Sequence, residues 1–187
     1  MTDEEIKNLG PLASLVGTWE GDSGIDTAPA KDLGVMETPY RERLVFDPLS
    51  PVENHQQKLF GLRYQTTVWP IGAEDPFHEE LGYWLWDPKA LQVMKCFMVP
   101  RGVTVIAGGS ASPDSTILEM KATLGSQTFG ICSNPFLDEN FQTEIYTLKI
   151  TKYDDNSFSY EEDTQLKIPS LSGIFHHTDK NTLNRVN

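Results

Sequence analysis

The sequence predicts an all-β fold: a single antiparallel up-and-down β-barrel of about ten strands with a short N-terminal helix. Three observations carry that prediction. Alternating apolar and polar runs recur along most of the chain, short turn signals separate them, and no window after Gly17 sustains a helical period. Closure follows because an open sheet of so many strands would leave two unpaired edges. A barrel of about ten strands is also wide enough to enclose a ligand.

The first segment is the helical one. Thr2 and Glu5 have the spacing of a capping box. Ile6, Leu9, Leu12, Ala13, Leu15 and Val16 form an apolar stripe that Gly10-Pro11 splits into two short turns. A first strand is expected over residues 17–24. In 38–46, Tyr40, Glu42, Leu44 and Phe46 share one face and Arg41, Arg43 and Val45 the other. In 59–69, Phe60, Leu62, Tyr64, Thr66 and Val68 oppose Arg63, Gln65 and Thr67. Strands over 79–86 and 91–99 flank Asp87-Pro88-Lys89, a turn with proline at its favoured second position. Further strands are expected over 102–108, 115–124, 141–153, 157–167 and 181–186, with Asp154-Asp155-Asn156 as a hairpin turn. Residues 26–35 and 125–138 read as long loops. There is no internal repeat, so residues 1–187 are expected to form one domain.

Composition narrows the partners. The chain carries 27 acidic and 15 basic residues, a formal charge of −12, which would be repelled by nucleic acid and by anionic membranes. With 39% hydrophobic residues over 187 positions, the core needs no disulfide or metal staple. Cys96 and Cys132 form no framework and read as small hydrophobes. The acidic start lacks a signal peptide's pattern and no apolar run is long enough to span a bilayer, so a reducing cytoplasm is expected.

Signatures such as GxSxG, the P-loop, HExxH and GxGxxG are absent, and Gly108-Gly109-Ser110 reads as a turn. Adjacent Glu79 and Glu80 point to opposite sides of a strand, one solvated and the other inward and paired. His55 belongs to a solvated loop, and His78 is expected to fix a loop by a hydrogen bond. His176 and His177 also point oppositely, which disfavours a shared zinc ion. One imidazole facing an apolar cavity could bind a haem iron and leave the other axial face free. On spacing alone, a surface or core-satisfied histidine is the commoner outcome.

Several stretches resemble the nitrobindins, a haem-binding β-barrel family of calycin type, also described as fatty-acid-binding-protein-like. Residues 11–21, PLASLVGTWEG, look like that family's opening helix and Gly-Thr-Trp-x-Gly strand. Residues 40–46, YRERLVF, and 64–69, YQTTVW, resemble its next strands. Residues 76–83, PFHEELGY, are close to its Pro-x-His-x-Glu-x-Gly-Tyr, and Pro100-Arg101-Gly102 with Gly108 or Gly109 is similar to a further strand pair. His177 with Thr182-Leu183-Asn184-Arg185 looks like its terminal strand, whose histidine is the proximal iron ligand.

The resemblance implies haem b held by His177, with His176 in reserve, and an open distal face for nitric oxide or for isomerisation of peroxynitrite. In this chain His177 stands eight residues before Arg185 where the family spacing is seven, so a bulge at Thr178-Asp179-Lys180 is one way to turn His177 inward. The opening strand also departs, with Gly21-Asp22-Ser23-Gly24-Ile25-Asp26-Thr27 in place of the family's glycine-rich run. The alternative function is a non-catalytic carrier, lipocalin-like and without haem, for an apolar small molecule. Tyr40, Phe60, Tyr64, Tyr83, Trp84 and Trp86 would line the cavity, or simply pack a core. Arg41, Arg63 and Arg101 are the expected partners of a propionate or another anion. A barrel filled by its own side chains is the third reading.

Overall fold

Each strand buries one face of a period-two pattern, and the buried faces close on one another. The computed structural model describes residues 3–186, so Thr2, the predicted cap, lies outside the described residues. Helix α1 (Asp3–Lys7) and a 3-10 helix (Gly10–Leu15) precede β1 (Gly17–Pro29), β2 (Val35–Pro48), β3 (Val52–Glu53), β4 (Lys58–Pro70), β5 (His78–Asp87) and β6 (Gln92–Val99). There follow β7 (Val103–Ser110), β8 (Ile117–Thr123), β9 (Ile131–Ser133), α2 (Pro135–Asn140), β10 (Gln142–Lys152), β11 (Ser157–Lys167) and β12 (Ile174–Val186). The antiparallel order β2-β1-β12-β11-β10-β8-β7-β6-β5-β4 closes through β2–β4 pairing into a ten-stranded barrel, with β3 and β9 as additions. Nine of its seams are extended ladders, whereas β7 and β8 meet in register only at Gly108 and Lys121.

One end of the barrel is plugged. Leu9, Leu12 and Leu15 are buried against Trp19, Trp86, Leu118 and Leu183, which is why a split apolar stripe precedes the first strand. Trp19 donates Nε1 to the Leu15 carbonyl at 2.7 Å and meets Phe158 edge-on. Gly10 has φ +54°, and a Cβ there would strike the Trp86 indole, so both backbone and space require glycine. Lys152 Nζ reaches the Pro11 carbonyl at 2.6 Å. Arg185 donates to the carbonyls of Val16, Ser14 and Asp155 while its guanidinium lies 4.2 Å from the Trp19 ring centroid.

Two strands run further than the alternation suggested. β12 begins at Ile174 rather than at 181, and β1 continues to Pro29 through most of the expected 26–35 loop. The physical reason is shared: the inward positions there are polar, so no apolar alternation marks them. β12 pairs with β11 without interruption from Asn184 to Ile174, so no bulge lies at residues 178–180. The irregularity is on the neighbouring strand. β1 carries an extra residue between Gly21 and Gly24 relative to β2, and between Glu20 and Ile25 relative to β12. Before this bulge Trp19 points in; after it Gly24 and Asp26 do. Gly24 is required there because a Cβ would overlap the Tyr40 ring. The expected 125–138 loop contains β9 and α2, which Asn134 caps by accepting from the Leu137 amide at 3.1 Å.

Because Arg185 ties the plug to the last strand, Arg185→Ala should lower the unfolding free energy by about 2–4 kcal/mol. Urea denaturation should show a lower midpoint at an unchanged slope.

Candidate functional site

The end of the barrel opposite the plug opens into a cavity of about 800 Å³. Its rim is apolar, with Leu33, Met36, Phe77 and Val99, and carries the exposed cations Lys31 and Arg101. Below the rim the wall is polar. Asp26, Glu42, Glu80, Glu162 and Asp179 all line the cavity, whereas among the described residues Lys95 is the only lysine buried within the barrel.

Lys95 sits on β6 at 5% exposure, with Nζ 2.9 Å from Glu80 and 3.4 Å from Glu162. The same ammonium donates to the Tyr146 hydroxyl at 2.9 Å, and Tyr146 in turn donates to Glu162 at 2.5 Å. Tyr64 donates to Glu80 at 2.5 Å. Burial opposes the Lys95 charge, but Glu162 and Glu80 together outweigh it and hold the ammonium above its ordinary value. Burial first, and then the neighbouring carboxylates, push the hydroxyls of Tyr64 and Tyr146 well up, so both remain donors.

A second network surrounds Glu42. Thr66 donates to it at 2.7 Å, Tyr160 at 2.8 Å and Asn181 at 3.3 Å. Tyr160 gives its one proton to Glu42, so the 2.6 Å contact with Tyr40 is a bond from the Tyr40 hydroxyl to the Tyr160 oxygen. Asp179 lies between Asp26 on β1 and Glu162 on β11 in the register, three carboxyls across adjoining strands. Burial raises the Asp179 carboxyl well above its ordinary value, and Glu162, Glu42 and Asp26 add to the rise. Among the described residues no side chain donates to it. The Trp84 indole N–H, also in the cavity wall, is buried without a hydrogen-bond partner among the described residues.

His177 faces the cavity near the rim, its side chain 34% exposed, with Nε2 2.8 Å from Asp26. His176 points outward at 58% exposure and contacts Asp163 at 2.9 Å. His55 is exposed in a loop, and His78 lines the rim with no hydrogen bond from its ring among the described residues. Of the six aromatics expected to line a cavity, Tyr40, Tyr64 and Trp84 do so. Trp86 is instead sealed under the plug, Phe60 packs half-buried against the core, and Tyr83 lies on the outer face at 47% exposure. Arg101 reaches the rim, but Arg41 and Arg63 occupy outward positions of their strands. Arg41 stacks on Trp69 at 4.3 Å, and Arg63 pairs with Asp47 at 3.1 Å. Alternation had already put Glu42 and one of Glu79/Glu80 inward; the roles of Lys95, Glu162, Asp179, Asp26, Tyr146 and Tyr160 went unread. Among the described residues no three His, Cys, Asp or Glu side chains converge as metal ligands. No helix among them is long and apolar enough to cross a membrane.

The sequence profile of the "THAP4-like, heme-binding beta-barrel domain" matches residues 8–185, nearly the whole chain. The chain belongs to this family. Its membership agrees with the nitrobindin-like motifs. A solved structure, "Crystal Structure of Rv2717c from M. tuberculosis", is similar with a TM-score of 0.65 at 20% identity, covering 96% of this chain and 98% of that one. At that identity the likeness shows a shared fold. No curated protein sequence is significantly similar. Membership makes this a small-ligand barrel of a haem-binding family.

Two stability measurements follow from the networks. Lys95→Met strands Glu80 and Glu162 in the interior and should cost about 3–5 kcal/mol by chemical denaturation at neutral pH. Glu42 has a different signature: burial raises its carboxyl, against the hydrogen bonds from Thr66, Tyr160 and Asn181 that lower it. Between the unfolded and folded values the native state binds more protons, so this group's contribution to stability falls as pH rises. Relative to Glu42→Gln, the wild type should therefore gain stability as the pH is lowered from neutral toward the ordinary value of 4.5.

Proposed function

We propose that the barrel binds haem b at its mouth, with His177 as the iron ligand. The observation that carries this reading is the direction of one side chain: His177 alone of the adjacent pair faces the cavity, and it does so near the rim. The surroundings suit the group. Leu33, Met36, Phe77 and Val99 offer apolar contact for a macrocycle, and Lys31 and Arg101 offer cations for its carboxylates. One contact competes. Asp26 holds His177 Nε2 at 2.8 Å, so ligation through Nε2 requires that bond to be released. Asp26 arrives there through the β1 bulge, in the segment where the chain departs from the family pattern.

When bound, the iron would supply a Lewis-acid centre with an open face for nitric oxide or peroxynitrite. The protein's own part is to present the His177 imidazole, exclude bulk water through the apolar rim, and keep the hydroxyls of Tyr64 and Tyr146 protonated below it. The alternative, a carrier of a wholly apolar molecule, is opposed by the wall, since a hydrocarbon reaching the Glu42 and Asp179 level would desolvate carboxyls without pairing them.

Titrating haemin into the haem-free protein and following the Soret band tests the proposal. A saturating one-to-one shift is expected, lost in His177→Ala and retained in His176→Ala. Asp26→Ala should tighten binding by about tenfold, since the competing bond to the imidazole is gone. No Soret shift at micromolar protein, or an unchanged titration in His177→Ala, would overturn it.

A further inference from the structure

Beneath His177 the cavity presents a charge pattern that haem at the rim does not use. Of the five inward carboxyls, Glu80 and Glu162 share Lys95 and Asp26 has His177, while Glu42 receives neutral donors and Asp179 receives none. Buried carboxylates are held by cations or by full sets of hydrogen bonds, and among the described residues Asp179 has neither an ion pair nor a hydrogen-bond donor. The adjoining hydroxyl has the same polarity. Tyr40 spends its proton on Tyr160, leaving its oxygen free to accept. The Tyr40 oxygen and the carboxyl oxygens of Asp179 and Glu42 therefore face one cavity with no cation paired to them among the described residues.

We infer that this chamber is a subsite for the ammonium group of a small protonated organic amine. An ammonium carries several donors and no acceptor, the complement of Asp179, Tyr40 and Glu42. A metal ion fits less well, because no three ligating side chains converge among the described residues. The apolar rim above the chamber fixes the rest of the class: a cation bearing an apolar body, whose charged end sits at Asp179 and whose body lies along Val68, Val99 and Phe77. The proposal stands apart from the haem reading, because its residues are not the iron ligand and its occupant carries no iron.

Isothermal titration of the haem-free protein with 2-phenylethylamine tests it, against 2-phenylethanol and 3-phenylpropionate as neutral and anionic probes of similar size. The amine should bind one-to-one and the other two should not. Asp179→Asn should weaken the amine roughly tenfold or more while keeping the shape of the side chain, and Tyr40→Phe should weaken it less. Near-UV circular dichroism establishes that each variant is folded; if Asp179→Asn is not, Tyr40→Phe decides. The proposal is overturned if the folded wild type does not bind the amine, if the alcohol binds equally well, or if a folded Asp179→Asn, or Tyr40→Phe where it decides, binds as wild type does. Haemin affinity is read separately by the Soret band, so either result stands without the other.

Discussion

Five carboxyl groups and one lysine face the inside of the same barrel, and most of the wall's architecture follows from keeping them there. Carboxylates removed from water need partners or protons, and like charges across adjoining strands repel. The barrel answers locally. Lys95 stands between Glu80 and Glu162, with Tyr64 and Tyr146 completing their hydrogen bonds, and Thr66, Tyr160 and Asn181 enclose Glu42. The tyrosines can do this because burial and the acids themselves keep their protons on. Donor and acceptor sustain one another, which makes the two networks cooperative units rather than sums of pairs.

That polar wall depends on a phase change in one strand. Without the extra residue between Gly21 and Gly24, the odd positions of β1 would stay inward and Asp26 would face solvent. The bulge thus decides which side chain meets His177, and it leaves β12 free to run straight. His177 and Arg185 are eight residues apart on an uninterrupted strand, so both lie on the inner face, one near the rim and the other at the plug. A single insertion in β1 thereby couples the identity of the histidine's partner to the geometry of barrel closure.

Period-two alternation made the strands at 38–46 and 59–69 legible, because their inward positions are mostly large and apolar. It failed at 25–29 and 174–180, where the inside is as polar as the outside, and the strands there are visible only through their pairing. Glu42 stood out as an acid in phase with Tyr40, Leu44 and Phe46. Glu162 and Asp179 did not, since each stands next to other charges, in Glu161-Glu162-Asp163 and Asp179-Lys180. Arg41 and Arg63 drew notice as strand cations, yet the same alternation that buries Tyr40 and Leu62 turns them outward. The family motifs located His177, but the contact with Asp26 joins residues 151 positions apart and leaves no trace in local spacing.

Nine seams of the barrel are ladders, and the tenth, between β7 and β8, is a single registered pair at Gly108 and Lys121. Opening a barrel at a laddered seam breaks a long row of backbone bonds together; here the edge of β7 is held by the short β9 ladder at Val103–Val105 and the one β8 pair, so the row is shorter. The seam is bounded by β7 and β8, and β6, which carries Lys95, lies one strand behind β7. Local opening at this seam would start one strand from the cation that holds two interior carboxylates. The free energy of that excursion, rather than of global unfolding, sets how often the Lys95 ion pairs meet solvent through the side of the barrel as well as through its mouth.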